Sequence, residues 1–168
     1  MIGLALTLAL AAGDAADPLA PAWSGKVQCY APDAARKTCV SIGGYTRGPN
    51  GAIDNRAVVL VAKSPLIVME THTPVRLKAG GAVCGPMTQH DIEIAAFKIN
   101  GAPAKPEEAQ RLRAVLIQQM APMFGHEACT TFTSAGDHFT AHATDNGKPM
   151  GPDMTVTWVS EPEYRVAP

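Results

Sequence analysis

A chain of 168 residues, 46% hydrophobic and 17% charged, is long enough to bury one core and too weakly charged to be held open by self-repulsion. Its 14 Lys and Arg against 15 Asp and Glu give a net charge of −1. With the basic residues scattered and no basic stripe to neutralise phosphates, composition argues against a nucleic-acid partner.

The N-terminus carries an uncharged apolar run from Ile2 to Ala12, with Ala9-Leu10-Ala11 supplying a small-x-small pattern. That run is shorter than the about 20 residues needed to span a bilayer. It therefore reads as a secretory signal over residues 1–11, although no Lys or Arg precedes it. Residues 12–22, rich in Ala and Pro, read as a flexible mature tail, and residues 23–168 as a single domain. No cysteine follows "LALAAG", so neither a lipid anchor nor stable membrane insertion after cleavage is expected.

Next come the first two cysteines. "KVQCY" and "KTCVSI" have strand composition, and "APDAARK" between them carries turn residues. The four cysteines, Cys29, Cys39, Cys84 and Cys129, include no C-x-x-C pair. A structural zinc site and a thioredoxin-like centre both depend on such close spacing. An even count behind an export signal points to two disulfides. Of the three possible connectivities, Cys29–Cys39 with Cys84–Cys129 is favoured, because the first pair flanks a loop.

"GGYTRGPNGAIDN" reads as a loop, Arg56–Ala62 as a β-branched strand, and Leu66–Thr73 as a second strand stopped by Pro74. Val75, Leu77 and Ala79 then alternate with Arg76 and Lys78, the period-two pattern of a half-buried strand. In "HDIEIAAFKING" the apolar side switches near Ala95–Ala96, which reads as a strand with a β-bulge. A helix is expected over about residues 106–121, with Pro106 at its start, Glu107 and Glu108 in its first turn and Pro122 with Gly125 at its stop. Its predicted apolar face is Ala109, Leu112, Val115, Leu116, Met120 and Met123, with Arg111 and Arg113 pointing away. Strands return in "EACTTFTS", "DHFTAHAT" and "MTVTWV", and Asp145-Asn146-Gly147 is a hairpin signal. Strands, one main helix, then strands predict an α+β class: an antiparallel sheet with the helix packed on one face.

No nucleophile elbow, P-loop, dinucleotide fingerprint or zinc-protease helix is present, and no cofactor is expected. His138 and His142 share a strand face but stand about 13 Å apart, too far to bind one metal. Asp91 and Glu93, beside His90, form the densest ionisable cluster and could act as acid and base. Glu70 and His72 share a strand face and could begin a metal site. The function expected is an exported binding or structural module of the bacterial periplasm, its partner an envelope protein or a small ligand. Two alternatives stand beside it: a small periplasmic enzyme with a cleft near His90, Asp91 and Glu93, and a metal-handling protein using Glu70 and His72.

Overall fold

The computed structural model describes residues 17–168; the segment read as a signal peptide lies outside them. In chain order the strands are β1 (Lys26–Tyr30), β2 (Thr38–Cys39), β3 (Ser41–Arg47), β4 (Ile53–Lys63), β5 (Leu66–Leu77), β6 (Val83–Pro86), β7 (Ala96–Ile99), β8 (Ala102–Pro103), β9 (Glu127–Ala135), β10 (His138–Asp145), β11 (Lys148–Pro149), β12 (Met154–Ser160) and β13 (Arg165–Val166). Two α-helices, α1 (Gln89–Glu93) and α2 (Pro106–Met120), lie between β6 and β9.

Eight of these strands form a ring. β1, β3, β4, β5, β6, β9, β10 and β12 pair antiparallel in that order, and β12 pairs back onto β1, with Gln28 opposite Trp158 and Tyr30 opposite Val156. Neighbours around the ring follow chain order, so the architecture is an up-and-down β-barrel. The α+β expectation is thereby overturned: the sheet closes on itself and the protein is mostly β. Closure gives every ring strand a paired neighbour on each side, which an open sheet cannot do at its edges.

Register fixes which side chains face inward, because successive residues of a strand alternate between faces. Gln28 lies opposite Gly43, Gly43 opposite Ala57, Tyr45 opposite Asn55, and Asn55 opposite Thr73. These positions share the lumen-facing phase with Ala128, Thr130 and Ala141 on the far wall. On the outer face of β1, β3 and β12, Val27, Cys29, Ile42 and Val159 are buried under Cys39 and Val166 of the small parallel pair β2–β13.

One end of the barrel is plugged by the segment entering β1. Leu19 is fully buried and packs with Ile53 and Val83, while Trp23, Tyr45 and Trp158 close around them. Asp17 holds this plug in place. Its carboxylate accepts from the Leu19 backbone N–H at 2.9 Å and from the Trp23 indole N–H at 2.7 Å, and it pairs with Arg47 at 3.2 Å. Leu19 falls within the stretch read as a flexible tail, so the packed part of the chain begins no later than this residue.

At the opposite end β4 and β5 run past the ring, and β5 carries β7 along Ile67–Glu70. Against this extension pack α1 and α2, burying Ile67, Met69, Ile92, Ala95, Phe97 and Ala109 with Leu112, Leu116, Ile117 and Met120. Residues 87–126 are thus an excursion between β6 and β9, two strands that are neighbours in the ring. A disulfide between Cys84 and Cys129, directly opposite each other on those strands, ties the base of the excursion. The second disulfide, Cys29–Cys39, closes the loop after β1. Two disulfides fit a protein of an oxidising, extracellular or secreted environment. Among the described residues no helix is long and apolar enough to cross a membrane.

Several local expectations need correction. The stretch from Gly43 to Arg47, read as loop, belongs to β3, and the connection to β4 shrinks to residues 48–52. Pro74 does not stop a strand; β5 runs through it opposite Asp54, carried by an unbroken ladder with β4 on both sides of that position. "HDIEIAAFKING" is not one bulged strand. Gln89–Glu93 is helical, started by Thr88, whose Oγ1 accepts from the Asp91 N–H at 3.2 Å. The apolar switch marks the change from helix to strand β7. On α2, Val115 is half exposed and Ile117 takes its place in the packed face. Arg113 turns inward instead of outward. It donates to the Ala95 carbonyl at 2.8 Å and lies 5.7 Å from the Phe97 ring centroid, its buried Nε unpartnered.

Candidate ligand-binding lumen

An eight-stranded barrel is wide enough either to be filled by its own side chains or to hold one small ligand. Here the filling is incomplete. Small residues occupy inward positions on several strands: Gly43, Ala57, Gly85, Ala128 and Ala141. Beside Gly85 and Ala128 lies a cavity of about 220 Å³, with Tyr30, Tyr45, Asn55 and Thr73 on one wall and Val83, Gly85, Met87 and Thr130 on the other. The Leu19–Trp23 plug seals the end nearest Val83, and the cavity extends towards Pro86 and Met87 at the other. Gly85 is required by space: a Cβ there would come within 3.0 Å of both the Pro74 carbonyl oxygen and Val75 Cγ1.

The polar centre of the lumen is Gln28. Its side chain is almost wholly buried, and its Oε1 accepts from the Tyr30 hydroxyl at 3.0 Å and from the Tyr45 hydroxyl at 2.9 Å. Burial pushes both phenols well above the usual tyrosine range, and at Tyr30 the neighbouring Tyr45 adds to the rise. Both stay protonated at any physiological pH. Asn55 Nδ2 donates to the Gly44 carbonyl at 3.1 Å. No charged side chain lines the cavity. A smaller cavity of about 130 Å³ shares Thr73, Pro86 and Met87 with it and reaches under α1, where Asp91, Ile92 and Met120 form its wall.

Met87 stands where the two cavities meet. Its N–H donates to the His126 carbonyl at 2.9 Å, and its own carbonyl accepts from the Gly125 N–H at 3.0 Å. His126 Nδ1 lies 2.8 Å from Asp145 Oδ1, tying the start of β9 to the end of β10 beside the lumen residue Ala128.

The residues singled out from sequence fall elsewhere. His90 and Glu93 are exposed on α1, 3.7 Å apart across one helical turn, whereas Asp91 lines the smaller cavity. The acid–base pair imagined on one strand face is therefore divided by the helix. Glu70 and His72 lie on the outer face of β5, 3.8 Å apart. Glu70 is engaged by the Arg56 guanidinium at 2.8 Å, which holds its carboxyl below the usual range, and His72 Nδ1 meets Asp54 at 2.7 Å. A guanidinium on the carboxylate opposes a dication there. Cys84, Glu127 and Cys129 bring donor atoms within 4.8 Å of one another, but the two sulfurs are bonded to each other and offer no thiolate. Glu127 is also paired with Arg76 and Lys78. His138 and His142 pair with Asp137 and Asp153.

Sequence reasoning missed Gln28, Tyr30, Tyr45 and Asn55. A polar residue on a strand ordinarily faces water, and only closure of the ring turns this face inward. Compared with protein families, with curated proteins and with solved structures, the chain finds no match, and its function is argued from its own side chains.

Proposed function

We propose that this protein is an exported binding module of the bacterial periplasm and that its partner is a small molecule held inside the barrel. The observation carrying the proposal is the cavity of about 220 Å³ with an uncharged, hydrogen-bonding wall among the barrel strands, open towards Pro86 and Met87. A wall of this kind offers a small molecule apolar contact together with a few polar groups that can fix its orientation. The two disulfides support export, since such bonds persist in oxidising compartments.

The test is native mass spectrometry of the full chain recovered from the periplasm of its own host. A small, non-covalent adduct that is lost on denaturation is the expected result. It should be missing from a Gly43→Val variant, whose side chain projects towards Gln28 Oε1 and Tyr30. Protein recovered without adduct, or an adduct indifferent to Gly43→Val, would count against the lumen as the site. Recovery of the chain from the cytoplasm alone would count against export.

A further inference from the structure

The hydrogen-bond stoichiometry around Gln28 restricts which small molecule fits, and this deepens the reading of the lumen as a binding site. A phenol carries one proton. Tyr30 and Tyr45 both give theirs to Gln28 Oε1, at 3.0 and 2.9 Å, and an amide oxygen has two lone pairs, so that acceptor is saturated. Tyr30 and Tyr45 also lie close enough to hydrogen-bond each other, so each phenol proton is spent within the Gln28–Tyr30–Tyr45 cluster and acceptor capacity is what the two oxygens offer a ligand. Donating into the amide also polarises each phenol, which strengthens its oxygen as an acceptor. No lysine or arginine lines the cavity to balance an anion, and no carboxylate lines it to hold a cation. Val75, Val83 and Met87 supply apolar surface. The volume is close to that of one ring with a substituent, since a cavity of about 150 Å³ accommodates benzene.

From these constraints we propose that the lumen selects neutral, single-ring-sized molecules bearing an O–H or N–H group, which donates to the phenolic oxygens of Tyr30 and Tyr45. Thr73, Thr130 and Asn55 carry donors elsewhere on the wall, so the discrimination rests on the tyrosine pair, where a ligand that can only accept finds no free proton.

A matched set of probes tests this on the full oxidised chain: phenol, anisole and benzoate, titrated at neutral pH by amide chemical-shift perturbation. Phenol and anisole share a ring and an ether or hydroxyl oxygen, and only phenol donates. Phenol should bind about five- to tenfold tighter than anisole, the worth of one neutral hydrogen bond, and benzoate should bind weakest. The Tyr45→Phe variant should narrow the gap between phenol and anisole. Gly43→Val should weaken both alike, so the inference does not depend on one variant folding. Anisole binding as well as phenol, or benzoate binding tightest, would overturn the proposed ligand class and leave lumen binding standing. If none of the three shifts the amides of Tyr30, Tyr45 or Thr73 at millimolar concentration, the lumen reading itself is overturned.

Discussion

Gln28 shows how a single buried amide can organise a lumen. Both lone pairs of its oxygen are filled by phenols from two different strands, so it ties β1 to β3 across the interior as well as through the backbone. Replacing it with leucine keeps the volume and strands two hydroxyls at once. Gln28→Leu should cost about 2 kcal/mol in urea unfolding, whereas Tyr45→Phe, which leaves one bond to the amide, should cost about 1 kcal/mol. A cost for Gln28→Leu no larger than that for Tyr45→Phe would mean the hydroxyls find other partners. On the outer wall, Arg56 bridges Glu70 and Glu161 and depresses the Glu70 carboxyl, chiefly through the hydrogen bond it donates. A lowered folded pKa stabilises the protein above the unfolded value near 4.3, and that contribution is lost as the pH falls through the folded value. Glu70→Gln should therefore cost about 1 kcal/mol near neutral pH. Its urea midpoint should converge on that of the parent as both are acidified; a constant difference would assign the effect to packing.

At the scale of elements, the stretches that turned out to be helices differ in how well they could be read. Pro106, the paired glutamates and the stop at Pro122 are local signals, and the helix they announce runs from Pro106 to Met120. The Lys105 N–H donates to Glu108 Oε2 at 2.9 Å, as the first turn of a helix requires. Which residues of α2 are covered depends on where β7 and α1 sit, and that is not a local property. Hence Val115 reads as packed and Arg113 as solvated from the sequence, the reverse of what is found. Val115→Lys should change stability by no more than about 0.5 kcal/mol, while Ile117→Lys should cost about 1 to 2 kcal/mol, because it removes a partly buried apolar side chain from the packed cluster. Equal effects would mean that the helix packs through another face. The α1 helix is hard to read from sequence because five residues are too few for a periodic signal. Its one clue was Thr88 three positions before Asp91, the spacing of an N-cap.

For the whole molecule, strands could be recognised by their alternation, but closure could not. β1 and β12 lie more than a hundred residues apart in the chain, and nothing in "KVQCY" or "MTVTWV" announces that they pair. Without closure, Gln28 and Tyr30 look like a solvated face and the lumen has no existence. Cysteine arithmetic reaches further than periodicity does. The bridge Cys84–Cys129 joins ring neighbours separated by the 87–126 excursion and stands where a tight turn would otherwise hold β6 against β9. With sequence separations of 45 and 10 residues, the chain-entropy account gives about 4 kcal/mol for this bridge and about 3 kcal/mol for Cys29–Cys39. Paired serine replacements should reproduce that order in their urea midpoints. The opposite order would show that the excursion is held to the barrel by its packing on β5, with the covalent bond adding little.

The ring also decides how the protein meets its own copies in a crowded compartment. A closed circle of strands offers no terminal ladder on which another chain could template itself, so end-to-end growth into fibres must begin on what hangs outside the circle. There the strand path ends in β8, with a separate branch at β11, and each is two residues long with a proline, Pro103 or Pro149, as its second member. Proline has no amide proton to give a newcomer. Both of these ends are thus chemically blunted against strand addition.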